Sequence, residues 1–242
     1  MRHCLFSLLT ACALAGAPTA SPAQTAPGAA PVVRLLESKY HNVKTLKAVF
    51  LQTYRDEHSG IQMESGTVYF SRPGRMRWEY ESPESKLFIA DGKSVWFFVP
   101  ADHTVTRSPM KESDDWRTPL ALLTGKARLS QLCARIDLAG TDSLQAGHVT
   151  LSCIPRGTKL PKSSAEEGAE EGILTPAPYD RVLLEVDSSS GELADVRVLE
   201  AGGVELEFRF GRWQEDIPVQ EAFFRFQTPP GVTVVDESAA PR

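Results

Sequence analysis

The run from Gly66 to Pro100, GTVYFSRPGRMRWEYESPESKLFIADGKSVWFFVP, decides the fold. Thr67-Val68-Tyr69-Phe70 alternates and ends in Arg72-Pro73-Gly74. The next stretch alternates without a break, with Arg75, Arg77, Glu79 and Glu81 on one face and Met76, Trp78 and Tyr80 on the other. After Pro83, a third strand over 86–90 reaches an Asp91-Gly92 turn, and 95–99 forms a fourth. Successive side chains of a strand point to opposite faces, so this pattern with its short turns predicts an antiparallel meander. One face is wet, the other dry and unusually aromatic.

The chain opens on a targeting segment, residues 1–23. Arg2 supplies the positive end, 5–17 the apolar stretch, and small residues follow. Cleavage after Ala23 is the preferred site, with Ala20 as the alternative. Leu9-Thr10-Ala11-Cys12 also fits a lipoprotein box, although only about seven apolar residues precede that cysteine. No later stretch approaches the roughly 18 apolar residues of a membrane span, so an exported, soluble mature chain is expected. The 242 residues carry 26 basic and 31 acidic side chains, a net charge of −5, and the leader holds only Arg2 of these. That balance argues against nucleic acid and against lasting adhesion to anionic lipid headgroups.

Residues 24–30 read as a flexible leader, and 31–242 as a single domain. Val32, Leu36, Tyr40 and Val43 recur at helical spacing behind Pro31, which suits the first helical position. Residues 46–54 form a first strand ahead of the meander. Thr118-Pro119 followed by Leu120, Leu122, Leu123 and Gly125 has the form of a short capped helix, too apolar to face water alone. Further strands are expected over 136–138, 148–154, 181–187, 194–200, 204–210 and 223–228. The acidic Gly/Ser/Ala segment 161–178 is read as a mobile loop within the domain. About ten antiparallel strands and two short helices predict one curved sheet with the helices lying in its mouth.

Catalytic templates are not met. The chain has no phosphate-binding G-x-x-x-x-G-K-[ST] and no G-x-S-x-G elbow. Ser108-Pro-Met-Lys111 matches S-x-x-K without the accompanying motifs. His41, His58, His103 and His148 are scattered without ligand spacing, and the pairs Asp114-Asp115 and Glu166-Glu167 read as solvated charge. No enzyme, metal or cofactor is expected. Cys133 and Cys153 are the two cysteines beyond the leader. In an oxidising compartment they are expected to pair, with two buried free thiols as the alternative.

The ordered set G-x-x-x-x-x-R-P-G-x-x-R-W-x-Y-x-x-P…DG-x-x-V-W…P, with LKAVFLQTY before it and Pro218-Val219…Phe224-x-Phe226-x-x-Pro229-Pro230-Gly231-Val232 after it, resembles the LolA family of periplasmic lipoprotein carriers. The resemblance implies a mainly β fold: an incomplete, half-open antiparallel β-barrel with a helical lid over an apolar cavity. It implies acylated lipoproteins as cargo, an inner-membrane ABC transporter as donor and an outer-membrane lipoprotein receptor as acceptor, with the protein a periplasmic monomer that binds no nucleic acid.

On this resemblance, Val68, Phe70, Met76, Trp78 and Tyr80 form the acyl-chain wall, and Leu120, Leu122 and Leu123 belong to the lid. Apolar alternation by itself reads first as ordinary core, ahead of a ligand cavity. Met76 departs from the family, which commonly has Phe there. Arg72, placed by alternation on the side of Val68 and Phe70, is implied to be the lid latch, donating to carbonyls at the end of a lid helix; its alternative is to bend out to solvent. A carrier of free lipid or glycolipid, a lipidated receptor of the LolB type and a lipoprotein-sensing domain are the rival readings.

Overall fold

The computed structural model describes residues 24–25, 28–110, 120, 122–125, 127–139, 145–156, 180–200 and 202–236. The leader 1–23, Thr118, Pro119 and the segment 161–178 lie outside them.

The described strands are β1 (Gln24–Thr25), β2 (Thr45–Asp56), β3 (Gly60–Ser71), β4 (Arg75–Ser82), β5 (Lys86–Ala90), β6 (Ser94–Val99), β7 (Thr104–Pro109), β8 (Cys133–Leu138), β9 (His148–Pro155), β10 (Arg181–Asp187), β11 (Leu193–Leu199), β12 (Glu205–Glu215) and β13 (Thr233–Asp236). They form one open sheet in the order β1-β8-β9-β10-β11-β12-β2-β3-β4-β5-β6-β7-β13. Neighbours are antiparallel except at the two ends, where β1 runs parallel to β8 and β13 parallel to β7. The helices are α1 (Ala30–His41) and the single turn α2 (Leu129–Leu132).

Register explains why one face is aromatic. Val68 lies opposite Ala48 on one side and Trp78 on the other, Trp78 opposite Phe88, and Phe70 between Leu46 and Met76. All seven side chains are buried. Gly66 sits where the β3–β4 register shifts, and a Cβ there would stand 1.9 Å from the Glu79 carbonyl oxygen. Backbone cannot yield that much, so the position demands glycine. The Phe50 and Tyr80 rings, opposite Gly66 on its two neighbours, meet edge to face at 5.1 Å.

Helix α1 covers this face with Val33, Leu36 and Tyr40, in one cluster with the sheet's inner side chains. The Tyr40 hydroxyl accepts the Leu193 N–H at 3.0 Å, fixing the helix to the start of β11. Burial pushes the Tyr40 phenol well above its usual range. On the far side, Cys133 and Cys153 join β8 to β9 with an S–S distance of 2.08 Å. A cross-link closing a loop of this size stabilises by about 3 kcal/mol.

Four features depart from the sequence expectations. Gln24–Thr25, expected in a flexible leader, pair with β8. Strand β7 has too little apolar alternation to stand out in the sequence. The expected helix over 118–125 is, in its described part, a pair of 3-10 bonds, Leu123 N–H to Leu120 and Gly125 N–H to Leu122. The expected strand over 223–228 is instead a 3-10 turn (Glu221–Phe224) followed by unpaired extended chain. That segment crosses the outer face of the meander, whose strands already have partners on both edges. Phe223 meets Tyr69 at 4.9 Å and Phe226 stacks on Trp96 at 5.4 Å, so the anchoring is by rings.

Candidate functional site

Beyond Ser71 the chain leaves β3 at Arg72, which reaches under α1. Its Nη1 donates to the His41 carbonyl at 3.0 Å and its Nη2 to the Tyr40 carbonyl. These are among the last carbonyls of the helix, which have no intrahelical donor. A planar guanidinium can satisfy two of them at once and sits at the negative end of the helix dipole; a lysine would keep the charge but lack the fork. No carboxylate pairs with Arg72 among the described residues, and its Nε is buried without an acceptor. Partial burial lowers the Arg72 pKa from its ordinary value.

The second side of this junction is the 120–125 segment. The Gly74 N–H donates to the Thr124 carbonyl at 3.1 Å, while Leu120, Leu122 and Leu123 are buried in the main cluster. Gly125 has φ +71° and lies flat on the guanidinium, so that a Cβ would stand 2.7 Å from Arg72 Nη1. Glu37 of α1 accepts the Leu129 N–H of α2 at 2.9 Å. A cleft of about 560 Å³ opens here, bounded by Arg34, Glu37, His41, Arg72 and Gly125.

Gly125→Ala is therefore expected to displace the Arg72 side chain, because the flexible arginine yields before backbone does. The left-handed φ adds about 1 kcal/mol of strain to any other residue. Hydrogen exchange in 30–41 should quicken about tenfold relative to wild type; unchanged protection would show that Arg72 keeps its carbonyl partners.

Val68, Phe70, Met76, Trp78 and Tyr80 are each no more than 5 % exposed. Trp78 is the hub: Phe50 lies 4.8 Å, Phe208 5.4 Å and Phe70 6.1 Å from it, all edge to face. With α1 and Leu120, Leu122 and Leu123 packed over it, this wall is shut off from water in the described state.

The sequence reading missed Trp213. It meets Tyr40 at 5.8 Å and Phe70 at 6.4 Å, and its Nε1 donates to the Leu193 carbonyl at 2.9 Å. Alternation along β12 puts Trp213 on the wet side with Glu205, Glu207 and Arg209. A register shift between Gly211 and Gln214, with Arg212 at φ 55°, turns it inward. That Phe50 and Phe208 both meet Trp78 was not readable from the sequence, since β12 and β2 are far apart in it.

An open sheet curled around one apolar face, closed by a helix whose end is held through carbonyl hydrogen bonds, defines a lidded half-barrel. A family model described as "Outer membrane lipoprotein carrier protein LolA" matches residues 41–149. An outer-membrane lipoprotein carrier protein of Nitrosospira multiformis is 28% identical over 207 residues, covering 84% of this chain and 87% of its own. One from Chromobacterium violaceum is 27% identical over 233 residues, covering 96% and 97%. A solved structure of an uncharacterized conserved protein from Thermus thermophilus shares the fold, with TM-score 0.51 at 14% identity over 87% of this chain and 99% of its own. Over residues 41–149, and at 27–28% identity across most of its length, the chain is similar to the LolA family of outer-membrane lipoprotein carriers.

Proposed function

We propose that this protein is a periplasmic, non-enzymatic carrier. It takes the acyl chains of lipoproteins onto the apolar face walled by Val68, Phe70, Met76, Trp78 and Tyr80, with Leu120, Leu122 and Leu123 as part of the lid and Arg72 as its latch. The observation that carries this reading is the pair of hydrogen bonds from Arg72 to the Tyr40 and His41 carbonyls, over a wall of buried aromatic rings.

The energetics favour such a device. Each buried methylene is worth about 0.8 kcal/mol, so one long acyl chain carries about 10 kcal/mol that water does not return. A container matching all of that burial would never release its cargo. Breaking the Arg72 bonds on opening, at about 1.5–3 kcal/mol each for charged donors, makes the loaded state less stable than it could be. Transfer onward then runs downhill. The donor in this scheme is an inner-membrane ABC transporter, which supplies the energy for opening, and the acceptor an outer-membrane lipoprotein receptor. Residues 1–23 act as a cleaved export signal, and 31–242 work as one carrier domain.

The test is to add the purified mature protein to spheroplasts holding radiolabelled lipoproteins. A soluble one-to-one complex in the supernatant is the expected result. Lipoproteins that stay with the spheroplasts, while free lipid is found in the protein by mass spectrometry, would overturn it in favour of a lipid carrier.

A further inference from the structure

The outer face of the other half of the sheet holds a second polar constellation that the carrier reading does not use. Register places Thr150, Glu185, Asp195 and Arg209 in one row across β9, β10, β11 and β12. Glu185 is 1 % exposed, and neither of its carboxylate oxygens has a hydrogen-bond partner. Thr150 Oγ1 and Asp195 Oδ2 beside it are likewise buried without one.

The nearby arginines are engaged with other carboxylates. Arg55 bonds Glu205 at 2.6 Å and Glu207 at 3.0 Å, Arg209 bonds Glu207 at 2.8 Å, and Arg197 bonds Asp195 Oδ1 at 3.2 Å. Arg209 Nε stands 3.8 Å from Asp195 Oδ2. Among the described residues, Glu185 alone of these acids has no cation partner. A cavity of about 270 Å³ opens at this point, lined by Gln145, Glu185, Ala194, Asp195, Arg209 and Phe210.

An unpaired carboxylate taken out of water costs several kcal/mol, so a cation that reaches it regains much of that loss. No group of three or more His, Cys, Asp or Glu among the described residues is arranged to hold a metal ion. Orphan acceptors at several angles instead suit a head with several N–H donors, and the cavity is large enough for an alkyl stem behind it. Val49, Met63 and Ile61 are exposed on the same outer face, on the strands that continue the sheet past β12. A charged pocket beside exposed apolar side chains is the layout of a protein-docking surface with one anchoring residue.

We propose that this cavity receives the side chain of an arginine or lysine from a partner protein that docks on the outer face of the sheet. Burial, then the negative charge of Glu207, pushes the Asp195 carboxyl up to about 7, so near neutrality this site readily exchanges a proton for a basic side chain. The surface lies on the opposite side of the sheet from the apolar wall, and the proposal stands or falls independently of the carrier reading.

The test is a ¹⁵N NMR titration of the full mature chain with acetyl-arginine methylamide, against its uncharged isostere acetyl-citrulline methylamide. Saturable shifts are expected at the amides of Glu185, Ala194, Asp195 and Arg209 with the arginine probe and not with the citrulline one. Glu185→Gln, nearly isosteric, should keep the fold and weaken the probe at least tenfold. No saturable shift at these amides, equal shifts with both probes, or wild-type affinity in Glu185→Gln would each overturn the proposal.

Discussion

Arg72→Leu is expected to leave the protein folded and able to take up lipoprotein, but to slow transfer to an acceptor by about 10- to 100-fold. The wild-type guanidinium holds the Tyr40 and His41 carbonyls at the end of α1. Leucine fills part of the same space without a donor, so closing the lid regains no hydrogen bond. Two bonds from a charged donor amount to about 3 kcal/mol at the lower end of the usual range, and 1.4 kcal/mol is a factor of ten. The loss falls on the closed, empty state and therefore on release. The carbonyls can turn to water, so melting should drop by only a few degrees. Arg72→Lys should recover part of the rate, since an ammonium keeps the charge and loses the fork. Transfer at the wild-type rate in Arg72→Leu would remove the latch from the account.

Trp78→Ala is expected to have the largest effect on stability. Trp78 is fully buried and touches rings from β2, β3 and β12, so truncation empties the middle of the inner face. Loss of a large aromatic from such a site costs about 3–5 kcal/mol, which for a domain of this size lowers Tm by about 10 °C. Met76→Leu, which keeps volume, should cost less than about 1.5 kcal/mol. Thermal melts of the two variants separate these outcomes. A Trp78→Ala protein as stable as wild type would mean that the wall is not packed as described.

Much of this was legible because the meander obeys period two without interruption. Met76, Trp78 and Tyr80 could be assigned to the dry face, and the helical spacing of Leu36, Tyr40 and Val43 marked a covering helix. What failed did so for local reasons. Trp213 was missed because it lies past the strand expected over 204–210, beyond a bulge at Gly211–Gln214 that reverses the alternation, and bulges leave little trace in composition. The aromatic-rich end, Phe223, Phe224 and Phe226, reads as a strand by residue type, yet every neighbouring strand edge was already taken. The 120–125 segment was too short to tell a 3-10 turn from a helix. Glu185 stayed hidden because a glutamate on the wet face of a strand normally reaches water, whereas this one is buried. The identity of the helix end that Arg72 reaches also lay beyond pattern, since that contact spans 31 residues of chain.

The most direct test of the central claim is whether acyl chains reach the face around Trp78. A variant with Trp96, Trp116 and Trp213 changed to Phe leaves Trp78 as the sole tryptophan. Loading it with a lipopeptide brominated along its acyl chains allows contact quenching to be read in an isolated one-to-one complex. Strong quenching of Trp78 relative to the unbrominated lipopeptide is the predicted result. A complex that forms with Trp78 emission unchanged would place the chains elsewhere and contradict the account.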